Sequence, residues 1–214
     1  MKPVTLIALV CVTILLGLLS ACSSSPLTNL SGAWTDPKFK GMPLSKILVV
    51  GVAKKESSRS KFEQTLKKEI MARGGDAIAS LDVMPAEEKI ERAAFEKYFR
   101  DKNVDGVIVA RLAGVTTTQE AIADETTPQV TEDLTGSFQV YYETAYGGTY
   151  TPPVIRETNE YNLEIRLFET KEGTLMWKGA SRTVNPDGVS DLIDAVSTSI
   201  ADSLVKAGML KKKL

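Results

Sequence analysis

The sequence predicts a single α/β domain with a mixed sheet of about five strands. Three observations support this class: apolar runs alternate with helical patterns in the first half, an alternating hairpin follows, and an amphipathic helix comes last. The order β-α-β-α-β, long loop, β-hairpin, helix requires an at least partly parallel sheet with right-handed crossovers. A length of 214 residues, 43% hydrophobic and 25% charged, suits one globular domain.

The N-terminus has the pattern of a processed signal. Met1 and Lys2 precede Val4–Ala21, a stretch of 18 residues without a charge, which fits a signal peptide and is nearly long enough to span a membrane. Leu19-Ser20-Ala21-Cys22 resembles the lipobox of bacterial lipoproteins, whose cysteine is acylated and becomes the mature N-terminus. We therefore predict a signal peptide over 1–21 and lipidation at Cys22. An uncleaved helical anchor and plain secretion are the alternatives.

Processing changes what the composition means. Removal of 21 residues leaves 193, and the loss of Lys2 takes the net charge from −1 to −2. Cys11 leaves with the signal and Cys22 carries lipid, so no thiol remains for a disulfide. The chain has no histidine, which excludes Ser-His and Cys-His pairs and imidazole metal ligands. We expect no enzyme activity, no cofactor, no metal and, from the balanced charge, no nucleic acid.

Residues 22–45 are rich in serine, proline and glycine and predict a flexible tether between the lipid and the domain. Trp34 is the exception, because an aromatic residue in a linker usually docks on a surface. It either packs on its own domain or contacts a partner or lipid headgroups. The residue after the cysteine is Ser23 rather than aspartate, which favours the periplasmic face of the outer membrane.

The domain proper is predicted over 46–210. Lys46–Ala53 is a continuous apolar run typical of a strand covered on both faces. Ser60 and Glu63 form a potential capping box, and the helix after it ends at a pair of glycines. Its buried stripe is predicted to contain Phe62, Leu66 and Ile70.

Three further elements complete the first half. Asp76–Leu81 predicts a short strand, Pro85–Lys102 a helix and Val104–Leu112 a third apolar strand. Thr116–Asp133 is polar and predicts a loop. Its acids could bind calcium, but their spacing does not match an EF-hand.

The second half predicts a hairpin and a helix. Apolar and polar residues alternate over Tyr161–Leu167, Gly173 lies in the turn, and Thr174–Val184 returns with Trp177. The last helix ends at Gly208 and leads to a basic tail, 211–214. Its apolar stripe consists of Val189, Leu192, Ile193, Val196, Ile200 and Leu204.

Two phrases look like recurrent phrases of bacterial lipoproteins of unknown function: SGAWTDPKFKG at 31–41 and LFETKEGTLMWKG at 167–179. Together with the element order, they resemble small periplasmic lipoproteins of the TolB N-terminal-domain and CsgG-like group. The resemblance implies an anticodon-binding-domain-like α/β fold and a non-enzymatic envelope role. Its motifs are structural, so no binding residue is transferred from it.

The stretch 136–153 is the best candidate for an interaction surface because it concentrates tyrosine, which combines a large apolar ring with a polar tip. The rings either cap the domain's own core or bind a protein or a glycan. With Trp34, the candidate residues are Tyr141, Tyr142, Tyr146 and Tyr150.

The sequence thus predicts a membrane-anchored periplasmic lipoprotein that acts as a structural or accessory subunit of a cell-envelope assembly. Its expected partners are the bilayer, through acylated Cys22, and an envelope protein or further copies of itself. The alternative is a periplasmic module that binds a glycan or a small ligand, which would need a concave apolar pocket with converging polar groups.

Overall fold

The computed structural model describes residues 27–84, 99, 102–122, 142 and 154–210. Six strands and two long helices are present in this part of the chain. The strands are β1 (Leu27–Thr35), β2 (Ile47–Val52), β3 (Ala77–Ala79), β4 (Gly106–Ile122), β5 (Val154–Glu169) and β6 (Leu175–Val184). The helices are α1 (Glu56–Ala72) and α2 (Val189–Lys206), and single 3₁₀ turns cover Pro37–Phe39 and Ser80–Asp82.

The described strands form one mixed sheet in the order β1-β6-β5-β4-β2-β3. β2 is parallel to β3 and β4, whereas the pairs β4/β5, β5/β6 and β6/β1 are antiparallel. The predicted α/β class with a partly parallel sheet is therefore confirmed. The parallel pairs come from the βαβ half of the sequence and the antiparallel pairs from the hairpin half.

The main core lies between one face of the sheet and the two helices. The predicted stripe of α1 is buried, as are five of the six residues predicted for α2. Trp177 of β6 is 1% exposed and is the largest side chain of this core. Burial of these apolar stripes, at about 25 cal/mol per Å² of apolar surface, is the main term that holds both helices on the sheet.

A second apolar cluster covers the opposite face of β2. It contains Leu48, Met84 and Val104, with Phe99 packed against it. The helix predicted over Pro85–Lys102 lies outside the described residues, apart from Phe99 and Lys102, which are helical. Since Leu48 alternates with Ile47 and Val49, which belong to the main core, β2 is covered on both faces, as its continuous apolar run predicted.

Strand β1 differs from the flexible tether predicted over 22–45. Leu27–Thr35 pairs with β6 as an edge strand, with an irregularity between Ser31 and Trp34. The 3₁₀ turn that follows is capped by the Asp36 carboxylate, which accepts the backbone N–H of Lys38 at 2.9 Å. Serine and glycine predict flexibility from composition alone, but here the backbone hydrogen bonds of an exposed sheet edge order the segment.

Strands β4 and β5 are also longer than predicted. The predicted loop Thr116–Asp133 is strand as far as Ile122, and β5 begins at Val154, seven residues before the predicted start. The remainder of that loop lies outside the described residues. The extension is exposed, so no burial pattern marks it, and cross-strand backbone pairing rich in threonine sustains it instead.

The start of α1 is a further correction. The capping box at Ser60 is not used, because the helix begins at Glu56 after Lys55, which makes no side-chain cap. Glu63 is instead fully buried.

No helix within the described residues is long and apolar enough to cross a membrane.

Candidate functional site

An apolar groove of about 480 Å³ lies at the carboxyl end of β2, beside residues 110–112 of β4. The first turns of α1 and α2 form its two walls, and β5 contributes the far side. Its volume falls within the range of about 300–1,000 Å³ that is typical of ligand-binding clefts. The lining residues from the strands are Gly51, Val52, Ala110, Arg111, Leu112, Tyr161 and Leu163. Those from the two helices and the loop before α1 are Ala53, Lys54, Lys55, Ser58, Arg59, Phe62, Val189, Leu192 and Ile193.

The position of the groove follows from the strand order. The parallel strands lie in the order β3-β2-β4, so the chain leaves β2 toward one neighbour and later returns on its other side. α1 packs on one face of β2, and Phe99 packs on the other. In open α/β sheets such a reversal leaves a crevice beyond the carboxyl ends of the strands, where ligands bind.

The floor of the groove is apolar and partly open to solvent. Val52 is the last residue of β2, and Leu112 follows the buried part of β4. Both side chains are about half exposed. Val189, predicted to lie on the buried stripe of α2, is 58% exposed and lines the groove instead. The first turn of α2 therefore presents apolar surface that the described residues leave exposed.

The rim of the groove is basic, and no aspartate or glutamate is among its described lining residues. Arg59 and Arg111 are paired: Arg59 Nε lies 2.9 Å from Glu63 Oε1, and Arg111 Nε lies 2.8 Å from Glu164 Oε2. Within the described part of the chain, Lys54 and Lys55 form no ion pair. The rim thus offers two uncompensated positive charges next to an apolar floor.

Hydrogen bonds from Arg111 and Arg166 hold the pKa of the Glu164 carboxyl below its ordinary value. Glu164 lies between these two arginines on the outer face of the sheet. Glu164 thus holds the side chain of Arg111, a residue that also lines the groove, by a hydrogen bond.

The buried Glu63 carboxylate fixes the α1 side of the groove. It accepts hydrogen bonds from the backbone N–H groups of Gly51 and Leu81, at 2.9 and 2.8 Å, and from Ser80 Oγ at 2.6 Å. Arg59 donates to the same carboxylate and, through Nη2, to Ser80 Oγ at 2.8 Å. With four donors in place, Glu63 is satisfied and ties the end of β2 to α1 and the 3₁₀ turn after β3.

The residues predicted as an interaction surface do not line this groove. Cys22, Tyr141, Tyr146 and Tyr150 lie outside the described residues, and Tyr142 is half exposed. Trp34 lies on the edge strand β1, with Lys178 Nζ 5.7 Å from its ring centroid, a cation–π distance. Trp34 thus contacts its own domain on one side and presents the rest of its ring to solvent.

The sequence did not predict the groove because its lining comes from four separated stretches of the chain, 51–62, 110–112, 161–163 and 189–193. One local signal was available: Lys54 and Lys55 directly follow the apolar run of β2, at the strand end where α/β sites form. The spacing of residues could not show that α2 begins beside them.

The groove can bury apolar groups and attract negative charge. Among the described residues, no group of three or more histidine, cysteine, aspartate or glutamate side chains could hold a metal ion. The chemistry of the groove suits a ligand or chain with an apolar part and an acidic part.

No protein-family model matches the sequence, and the search of curated proteins found no match. The resemblance to the TolB N-terminal-domain and CsgG-like group therefore stays a prediction.

Solved structures with a similar fold include the PelC dodecamer from Paraburkholderia phytofirmans, at 12% identity and a TM-score of 0.46, covering 86% of this chain and 100% of that one. Lipoprotein GNA1162 from Neisseria meningitidis is similar at 15% identity and a TM-score of 0.38, covering 76% and 99%. A PDZ domain protein from Parabacteroides distasonis shares 10% identity at a TM-score of 0.33, covering 85% and 36%. Likenesses this distant assign no function.

Proposed function

We propose that the mature protein is a periplasmic lipoprotein, anchored through acylated Cys22 to the outer membrane, that serves as a non-enzymatic accessory subunit of a cell-envelope assembly. The groove at the carboxyl end of β2 is its partner-binding site. The observation that carries this proposal is the uncovered apolar floor beside two unpaired lysines. The absence of histidine and of a free thiol in the mature sequence supports a binding role over catalysis.

The partner that fits is a protein segment with apolar side chains followed by acidic ones. Apolar side chains would replace water over Val52, Leu112 and Val189, which gives most of the affinity of such contacts. Acidic side chains would approach Lys54 and Lys55, which sets orientation and association rate more than affinity.

The proposal is tested by placing a photoreactive amino acid at Val52 or at Val189 in cells. Glu172, exposed in the turn between β5 and β6, is the control position. We expect the two groove positions to give the same protein adduct and position 172 to give none. The adduct should weaken when Lys54→Glu is added and persist with Lys171→Glu, which makes the same charge change at the far end of the sheet. Absence of any protein adduct at both groove positions would contradict the proposal.

The lipid anchor is tested separately. A palmitate analogue should label the wild-type protein and fail to label Cys22→Ser. Labelling that survives in Cys22→Ser, or a wild-type chain without label, would contradict lipidation at this residue.

A small envelope molecule or glycan fragment is the second candidate occupant, because the groove volume suits one. Native mass spectrometry of protein extracted from membranes should then show a bound small molecule, and thermal shift against peptidoglycan fragments should raise the melting temperature. A protein adduct in the crosslinking experiment, with neither of these signals, would decide against this candidate.

A further inference from the structure

Four strands share one row of residue pairs near one end of the sheet. Leu27 pairs with Val184, Val184 with Glu160, and Glu160 with Thr116. β1 runs away from this end, so the chain before Leu27 leaves the sheet here. Whatever is attached at Cys22 is therefore attached to this end of the domain.

Two of the four strands continue past this row. β4 extends to Ile122 and β5 starts at Val154, and among the described residues the two pair with each other without any further strand beside them. The 31 residues 123–153, which connect the two strands, lie outside the described part of the chain apart from Tyr142. The paired residues, 117–122 and 154–159, are called the arm below. Six residues of strand at about 3.3 Å each make the arm about 20 Å long.

The arm is polar next to the sheet and apolar at the pairs farthest from it. The pairs nearest the sheet join threonine, asparagine, glutamine, glutamate and arginine, whereas the last two pairs are Ala121 with Ile155 and Ile122 with Val154. Val154 and Ile155 are 66% and 64% exposed. Paired residues share a face and successive pairs alternate, so apolar side chains project from both faces of this part of the arm.

The length of chain between Cys22 and Leu27 limits how the domain can stand on a membrane. Five residues span about 17 Å at most. If the opposite end of the sheet faced the bilayer, the row at Leu27 would stand about 30 Å above it, since β6 runs from Leu175 to Val184. A lipidated Cys22 could not then reach the bilayer.

We propose that the exposed apolar residues of the arm, Ile122, Val154 and Ile155, contact the lipid surface when the protein is anchored. This inference rests on the proposed lipidation of Cys22. The anchor holds the row at Leu27 within about 17 Å of the bilayer, and the arm projects about 20 Å from the same row. The apolar pairs enter the interfacial region and the polar pairs next to the sheet stay in water. The groove, which includes Arg111 and Leu112 at the base of the arm, lies on the membrane side of the domain.

The test uses full-length lipidated protein reconstituted into vesicles of phosphatidylethanolamine and phosphatidylglycerol. Because the mature chain has no free thiol, Ile155→Cys and Glu172→Cys each provide a single site for a polarity-sensitive fluorophore. We expect the label at 155 to shift to shorter wavelength and to lose most of its emission to a lipid-borne quencher. The label at 172 should keep the emission it has in water.

A second variant carries about ten glycine and serine residues inserted between Ser25 and Pro26, which releases the constraint. Lipid quenching at 155 should fall in this variant, and unchanged quenching would overturn the role of the short connection. A label at 155 that reads as aqueous, or that shifts without lipid quenching, in protein that carries the palmitate analogue would overturn the inference and leave the anchor standing. Failure of the palmitate labelling itself would instead overturn the proposed function.

Discussion

The Glu63 carboxylate accepts the backbone N–H of Gly51 at 2.9 Å, and this bond joins the middle of α1 to the end of β2. Gly51 lines the groove, and its missing side chain leaves room for Phe62, which would lie 3.1 Å from a Cβ there. The geometry of the groove therefore depends on a buried carboxylate that does not itself face it.

We predict that Glu63→Ala lowers the free energy of unfolding by about 3 kcal/mol. The change removes the acceptor of four hydrogen bonds and leaves Arg59, whose side chain is only 17% exposed, without its partner, and the loss of one member of a buried pair typically costs this much. Urea unfolding of the two proteins measures the difference.

The matched control is Glu69→Ala on the same helix. Glu69 also pairs with an arginine four residues away, Arg73, but Glu69 is 25% exposed and Arg73 keeps a second partner, Asp202, so we expect a loss of about 1 kcal/mol or less. Equal losses for the two variants would show that Glu63 is not the buried tie that the hydrogen bonds indicate.

The elements that sequence patterns predicted well are those whose patterns reflect burial. The run of β2 and the stripe of α2 each required an apolar partner surface, and the fold supplies it on both faces of β2 and on one face of α2. Gly173 and Gly208, predicted in a turn and at a helix end, both have φ of +72°.

The elements that the sequence patterns did not predict are stabilised by backbone pairing between strands rather than by burial of apolar side chains. β1 and the arm are exposed strands, and their pairing partners are 32 residues or more away along the chain, the shortest separation being that of Ile122 and Val154. Local patterns carry no such long-range information. Glu63 was misassigned for a related reason. A glutamate three residues after a serine fits a capping box, and the local sequence does not distinguish that role from a buried one. Only the positions of Gly51 and Leu81 in the fold show that Glu63 is buried.

Gly208→Ala should destabilise the protein more than Gly173→Ala. Both glycines have the same φ of +72°, so the backbone strain of an added side chain, about 1–2 kcal/mol, is common to both. A Cβ at 208 would also lie 2.8 Å from Gly41 Cα, whereas one at 173 meets nothing within 4 Å. We expect an additional loss of about 1–3 kcal/mol at 208, measured by urea unfolding. Equal losses would mean that the chain at Gly41 moves aside without cost.

Stability should fall in acid partly through Asp82. The hydrogen bond from Lys67 lowers the pKa of the Asp82 carboxyl below its ordinary value of 3.8. The folded state therefore binds this proton less readily than the unfolded state, and the contribution is complete above pH 3.8 and lost as the pH falls through the lowered pKa.

Asp82→Asn removes this contribution, which is at most about 1 kcal/mol for a pair this exposed. The wild-type protein should be the more stable of the two at pH 6, and the difference should vanish on acidification below pH 3.8. Lys67→Met should show the same pH dependence because it removes the other partner. A difference between wild type and Asp82→Asn that is constant from pH 6 downward would contradict this assignment.

Ser197→Ala should stabilise the protein. The Ser197 hydroxyl is fully buried on α2 and has no hydrogen-bond partner among the described residues. A buried polar group without a partner costs about 1–3 kcal/mol, and alanine is also the better helix former. Ser199→Ala on the same helix is the control, because Ser199 is only half-buried and its replacement gains mainly helix propensity. We expect Ser197→Ala to raise the free energy of unfolding by about 1 kcal/mol more than Ser199→Ala, measured by urea unfolding. A smaller gain at 197 than at 199 would mean that the hydroxyl is satisfied in the folded protein.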